Sequence, residues 1–238
     1  MSIRDELIAA RDSIVHADFA QRTGSVVPNT SDVGYDQAVK LDATYLYSDM
    51  VNSSGLRAAC PPTTVGKVLR LYLDLSVRIT RSQQGHIRSF DGDRVMGIFI
   101  GADRADRAVK AALQILWACD ELIQPEISGR YKSIQKSGWR LKPASGVASS
   151  SALLVRGGVR RSSSDLVSIG VAPNLAAKLS DIRSSPYQTR IGKGTYAMLS
   201  DSLKRGAKGN LDMWDGVYSL KMANQPFEYY RSSYRWRV

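Results

Sequence analysis

Apolar positions along the chain switch between a helical period and short runs rich in β-branched and aromatic residues. Ile3, Leu7, Ile8, Ile14, Val15 and Phe19 follow a helical stripe, so residues 3–20 are predicted to form an amphipathic helix. Gly24, Pro28, Asn29, Ser31 and Gly34 then mark residues 21–37 as a loop or linker. Leu41–Tyr47 reads as a strand that stops at Ser48-Asp49, followed by a polar turn, Asn52-Ser53-Ser54-Gly55. Val68, Leu69, Tyr72, Leu73, Leu75, Ser76 and Ile79 predict a helix over 66–82, ended by Gly85. His86–Phe90 and Arg94–Ile100 are short strands flanking Asp91-Gly92-Asp93, and an Asp-Gly between apolar strands signals a hairpin. Ala105–Ile123 reads as a helix closed by Pro125, and residues 126–138 as an exposed polar loop. Leu141–Val155 is a strand pair or one long bent strand, Gly157–Asp165 a turn, and Val167–Val171 a short strand. Pro173 opens a helix running to about Ile182, before a strand at Gln188–Ile191, a short helix at Thr195–Ser200 and strand-like pieces through Trp236.

This order fits a βαββαβ core of the ferredoxin-like type, an α+β fold with an antiparallel sheet and helices on one face. The N-terminal helix and linker occupy residues 1–40, the core 41–211, and a C-terminal strand extension 212–238, with the roles of the two extensions open. No 18-residue apolar run crosses a membrane, and the charges within MSIRDELIAARDSIV exclude a secretory signal. The two cysteines, Cys60 and Cys119, make neither a disulfide framework nor a zinc site. A cytoplasmic protein is expected.

Charge changes the picture. Lys and Arg number 33 against 22 Asp and Glu, a net of +11. Such a balance favours polyanionic partners: nucleic acid, an anionic membrane or a phosphorylated small molecule. The basic residues are scattered, at Arg160-Arg161, Lys204-Arg205-Lys208 and Arg231, Arg235 and Arg237, so a merely solvated basic surface explains any one group equally well.

In a βαββαβ core, Asp49 at the end of the first strand and Asp93 in the hairpin lie side by side at one end of the sheet. Paired carboxylates beside a Ser/Gly turn provide the hard oxygen donors that Mg²⁺ prefers. The plainer alternative, an Asx turn at Asp49 and hairpin residues at Asp91 and Asp93, is the stronger one on these residues alone. Asn174 at a helix start and Lys178 four residues on place an amide and a cation on one helix face, although Asn there is also a common cap. Gly192-Lys193-Gly194-Thr195 is not a P-loop, because Tyr187 replaces the first glycine and Gly194 the hydroxyl residue. His16 and His86 are the only histidines, and no Ser/His/Asp set can be built.

Three segments together resemble class III nucleotidyl cyclases. Tyr45-Leu-Tyr-Ser-Asp49-Met-Val-Asn-Ser-Ser resembles the first metal-binding segment of that family, and Phe90-Asp-Gly-Asp93-Arg-Val-Met96-Gly-Ile-Phe99 the second. Ile169-Gly-Val-Ala-Pro-Asn174-Leu-Ala-Ala-Lys178-Leu resembles its transition-state helix. The resemblance covers roughly Leu41 to Leu211. It implies that Asp49 and Asp93, with the Met50 carbonyl, hold two Mg²⁺ or Mn²⁺ ions. It further implies that backbone N–H groups of Asn52, Ser53, Ser54 and Gly55 hold phosphate oxygens, and that Asn174 positions the ribose. The 3′-oxygen would attack the α-phosphorus, giving a 3′,5′-cyclic nucleotide and pyrophosphate. In this family the metals and the Asn come from different protomers, so a homodimer with composite sites is implied.

Departures from the family pattern bear on substrate. Adenine-selective members carry Lys where this chain has Ser89 and Asp or Thr where it has Val167, and guanine-selective members carry Glu at the first position. A purine reader without these partners leaves base edges unpaired. This resembles the bacterial pyrimidine cyclases of Pycsar anti-phage systems, whose product is sensed by a separate effector. With no acceptor at Val167 and donors at Ser89 or Arg88, uracil is favoured over cytosine, making UTP the expected substrate. Lys178 stands where the family has Arg, which supplies charge without the fork geometry; Lys208 or Arg205 would then share its role. A cytidylate cyclase, an adenylate cyclase and a degenerate nucleotide- or RNA-binding module are the alternatives, and nucleic acid and membrane are not expected partners.

Overall fold

The computed structural model describes residues 2–159, 162–206 and 211–238. Two long antiparallel strands form its axis: β2 (Gln37–Met50) pairs with β5 (Pro143–Gly158) along thirteen residues, from Ala38 opposite Val155 to Met50 opposite Pro143. Each borrows different neighbours at its two ends. The start of β2 takes β1 (Ala20–Thr23) in parallel, and its end takes β4 (Arg94–Phe99), itself in a hairpin with β3 (His86–Asp91). The start of β5 takes β7 (Thr189–Gly192) in parallel, and its end takes β6 (Ser164–Gly170). β9 (Gln225–Ser232) and β8 (Asp215–Met222) extend the edge, giving the order β3-β4-β2-β5-β7-β9-β8.

Alternation along the strands divides the core in two. Leu46 and Val147 face α3 (Pro62–Ser82) and α4 (Arg104–Ala118). On α3 the stripe Val68, Tyr72, Ser76 and Ile79 is buried at helical spacing, and Pro62 sits in the first turn, where its missing N–H costs nothing. Tyr45, Ile98 and Ala148 point the other way, against Ala172, Leu175, Ala176 and Leu179 of α7 (Val171–Asp181). The sheet is therefore covered on both faces, not on one as the element order suggested. Gly146 makes this possible: a Cβ there would stand 2.1 Å from the Ala176 carbonyl oxygen and 2.6 Å from the Ser180 nitrogen.

Several elements differ from the sequence-based reading. The N-terminal helix α1 is Ile3–Val15, capped by Ser2 and Asp5, and buries none of its residues; the segment after it supplies β1 rather than only linker. The polar turn at residues 52–55 opens α2 (Ser53–Ala59), because Asn52 adopts φ 57° and caps it. Residues 126–138 fold into α5 (Gln124–Arg130) and α6 (Lys132–Ser137), following a π-turn at Cys119–Ile123, because Ile127 and Ile134 reach the core. α8 (Lys193–Met198) and α9 (Asp201–Arg205) complete the helices. Among the described residues, no helix is long and apolar enough to cross a membrane.

Gly146→Ala drives a methyl group into helix backbone that cannot rotate away. Overpacking of this kind costs about 1–3 kcal/mol, and a chain of this size loses roughly 2–4 °C in Tm per kcal/mol. A thermal melt should fall by about 2–12 °C; an unchanged melt would mean that α7 does not lie on β5 this closely.

Candidate active site

β2 delivers Asp49 to one end of the sheet, on the face shared with Tyr45 and α7. The last β2–β4 pair is Ser48 opposite Val95, so one further step places Asp49 across from Arg94, immediately after Asp93. Asp93 itself occupies the two-residue turn between β3 and β4, where Gly92 has φ +59° as such a turn requires. Asp49 is only 8 % exposed. Burial raises its pKa, the negative charge of Asp93 raises it further, and Arg94 and Arg183 pull it back. Arg183 Nη2 donates to Asp49 Oδ2 at 2.5 Å. Arg94 Nη2 lies 3.5 Å from the same oxygen and also pairs with Asp181, the last residue of α7.

The platform behind the carboxylate is rigid. Ser48 Oγ bonds Tyr72 OH at 2.9 Å and Ser145 Oγ at 3.0 Å, all three groups buried between β2, β5 and α3. Burial pushes the Tyr72 phenol well above its usual range, so it remains a neutral hydroxyl. The loop after Asp49 is equally fixed. Val51 N–H donates to Lys142 O at 2.8 Å, and Trp139 Nε1 to Asn52 O at 2.9 Å. Since Val51 turns its backbone toward β5, the neighbouring Met50 turns its carbonyl the other way, toward the turn carrying Asp93. Gly55 N–H is occupied by Asn52, through its carbonyl at 3.1 Å and Oδ1 at 3.2 Å. The Gly55 N–H, one of the four expected to face phosphate, is therefore already engaged within the chain. A Cβ at Gly55 would also stand 2.5 Å from the Asn52 amide.

The remaining expected residues lie elsewhere. Ser89 sits on β3 beside an irregularity in its pairing with β4, and Val167 sits on β6, half exposed. Arg88 ties these two strands together by pairing with Asp165 and donating to Leu166 O at 3.3 Å. Its guanidinium is thus committed, leaving Ser89 as the hydrogen-bonding group of the suggested base reader. Asn174 and Lys178 lie with Val171 on the exposed stripe of α7, opposite its buried Leu175, Ala176 and Leu179, and among the described residues their side chains make no hydrogen bond or ion pair. Lys208 falls outside the described residues. Arg94, Arg183 and Lys142 were missed in the sequence: single arginines and lysines carry no spacing signal, although Arg94 directly follows Asp93.

The donors at this end of the sheet suit a hard divalent cation. Two carboxylates and a backbone carbonyl are all oxygen, and Mg²⁺ typically takes one or two carboxylates plus substrate phosphates. Among the described residues, no group of three or more His, Cys, Asp and Glu could enclose an ion with protein ligands alone. A phosphate-bearing substrate would complete the shell.

No family model matches the chain. It is 38 % identical over 238 residues to a uridylate cyclase of Rhodovulum sp. (strain MB263), covering all of this chain and 98 % of that one. It is 32 % identical over 240 residues to a uridylate cyclase of Xanthomonas perforans, covering both chains completely. Among solved structures, the adenylyl cyclase CyaB from P. aeruginosa superposes with a TM-score of 0.67 at 20 % identity, over 82 % of this chain and 95 % of that one. The guanylyl cyclase Cya2 gives 0.67 at 18 % identity, over 82 % and 93 %. These structural likenesses describe the fold.

Asp49 makes the metal-free protein sensitive to pH. Its folded pKa lies above the unfolded value of about 3.9, so the folded chain gains from this group below that value and loses the gain as pH rises through the folded pKa. Ionised Asp49 therefore weakens the fold at neutral pH. Asp49→Asn should raise the melting temperature of metal-free protein near neutrality, with the difference shrinking towards about pH 4. A variant that melts at or below wild type throughout would refute this balance of burial and charge.

Proposed function

The chain belongs to the uridylate cyclase family, and from that premise we propose that it closes UTP into 3′,5′-cyclic UMP with release of pyrophosphate. The observation that carries the reading is the approach of Asp49, at the end of β2, to Asp93, in the turn that leads into the neighbouring β4, at one end of a sheet like that of class III cyclases. Divalent ions, two per site and either Mg²⁺ or Mn²⁺, would lower the pKa of the ribose 3′-hydroxyl and neutralise the triphosphate when bound.

Asp49, Asp93 and the Met50 carbonyl hold the metal end of the site, and the N–H groups of residues 52–54 face the phosphates. Asn174 orients the ribose, and Lys178 offers its charge to the transferred phosphoryl group, with Lys208 and Arg205 as further candidates for that role. The 3′-oxygen bonds to the α-phosphorus, the bond to the β-phosphate bridging oxygen breaks, and the 3′ proton leaves to solvent. Ser89 and Val167 shape the base end. Val167 offers no hydrogen bond, and Ser89 provides a hydroxyl that can donate to uracil O4.

A homodimer with composite sites fits where these groups lie. Asn174 and Lys178 are exposed on the outside of α7, beside Val171 at 45 % exposure, with Val167 at 50 % and Ile169 at 53 % on the adjoining β6 and Phe90 at 54 % on β3. Apolar exposure of this kind suits a second copy, whose α7 would complete the site. The catalytic unit is assigned to residues 41–211, with 1–40 and 212–238 as its extensions, although residues 37–40 already form part of β2. The setting that fits the product is the cytoplasm and anti-phage defence of the Pycsar type, with a separate effector sensing the cyclic nucleotide.

Purified protein incubated with each of the four NTPs and Mn²⁺ should form a cyclic product chiefly from UTP. Asp93→Ala should lower that rate by at least about 10³-fold while leaving the melt intact. Product chiefly from CTP or ATP would reject the uracil assignment, and full activity in Asp93→Ala would reject the metal site. Composite sites predict that two inactive variants, Asp93→Ala and Asn174→Ala, recover activity when mixed and allowed to exchange. Half the dimers then carry one intact site, restoring roughly a quarter of the wild-type rate. No recovery after verified exchange would place both residues in one protomer's site.

A further inference from the structure

Arg190, in the middle of β7, is 0 % exposed, yet no carboxylate pairs with it. Every hydrogen bond it makes goes to one short segment: Nη2 donates to Ser184 Oγ at 2.7 Å, Tyr187 O at 2.9 Å and Ser184 O at 3.5 Å. Nε and Nη1 have no partner. Burial, with the nearby charges of Arg183 and Arg231, pushes its pKa down to about 10. A buried guanidinium with idle donors is costly to the fold, and its contacts show what it secures, the loop of residues 182–188 between α7 and β7. Arg231 closes the other side of that loop, stacking on the Tyr187 ring at 3.9 Å while paired with Asp215 at 2.8 Å. The first cation of the loop is Arg183, which also donates through Nη1 to Ser180 O, and whose Nη2 reaches Asp49 Oδ2 at 2.5 Å.

We propose that Arg183 is a built-in counter-cation of the metal site, competing with divalent ions for Asp49, and that Arg190 is the positioning residue that holds it there. The inference rests on the reading of Asp49 as a metal ligand. The guanidinium takes one of the lone-pair directions of Asp49 Oδ2 and puts a positive charge where a divalent ion would approach, so an incoming ion competes with Arg183 for this carboxylate. An ion arriving alone meets this competition in full. An ion arriving with a triphosphate brings negative charge that gives the displaced Arg183 a new partner. The site would therefore load metal together with nucleotide rather than before it.

The test is direct binding of Mn²⁺ to nucleotide-free protein, followed by electron paramagnetic resonance of the free ion, in wild type, Arg183→Ala, Arg190→Gln, the double variant and Asp49→Asn. Arg183→Ala should bind Mn²⁺ more tightly by about fivefold. Arg190→Gln should shift affinity in the same direction by less, and the double variant should match Arg183→Ala, because Arg190 acts through Arg183. Arg190→Lys, which keeps one donor and a charge, should restore wild-type affinity and covers the case in which the Gln variant does not fold. Loss of binding in Asp49→Asn with unchanged affinity in Arg183→Ala would overturn the proposal while leaving the metal site standing. Unchanged binding in Asp49→Asn would instead overturn the metal reading on which it rests. A lower melting temperature in Arg190→Gln without any shift in Mn²⁺ affinity, or an additive double variant, would reduce Arg190 to a structural residue and overturn its positioning role.

Discussion

Strand register forces two carboxylates together. β2 and β4 are locked antiparallel through Ser48 and Val95, so the next residue of β2 is Asp49, and the turn that begins β4 presents Asp93. Like charges in a largely buried setting repel and resist ionisation, and Asp49 shows both effects in its raised pKa. The surroundings answer with positive charge: Arg94, held by Asp181, and Arg183, held by the loop that Arg190 anchors. Part of the +11 excess therefore works inside the molecule, through Arg94, Arg183 and Arg190, and does not call for a polyanionic partner.

The same site depends on a sheet covered on both faces. α3 and α4 fix the floor beneath Asp49 through Tyr72 and Ser48. α7 crosses the other face, where Gly146 lets the helix backbone approach closely, and its free stripe presents Asn174 and Lys178 outwards. In the proposed reading, a single chain carries the metal end of a site in one place and the helix that would bind ribose and phosphoryl group in another. In the homodimer proposed for this chain, such a division gives two equivalent sites, and each protomer contributes a different half to each.

Much of this was legible in the sequence because it sits on strong local signals. The Asp-Gly turn marked the β3–β4 hairpin, the apolar stripe marked α3, and the three cyclase-like segments fell in the right order on the right elements. Other parts depend on contacts that no short window records. α2 was read as a turn because its few residues include Ser, Ser and Gly, although Asn52 carried a capping signal. α5 and α6 look like loop because the aliphatic side chains they bury, Ile127 and Ile134, stand seven residues apart among polar ones. The face chosen by α7 depends on a glycine thirty residues before its Ala176. Arg88, read as a possible base donor, is claimed by Asp165 from a different strand, and Arg183 meets Asp49 across 134 residues of chain.

The most direct measurement is anomalous diffraction from crystals grown with Mn²⁺ and a UTP analogue that lacks the 3′-hydroxyl. The account predicts two manganese peaks, each within roughly 2.0–2.3 Å of carboxylate oxygens of Asp49 and Asp93, with Arg183 withdrawn from Asp49. Manganese bound elsewhere, or nucleotide bound with neither carboxylate touching an ion, would contradict it.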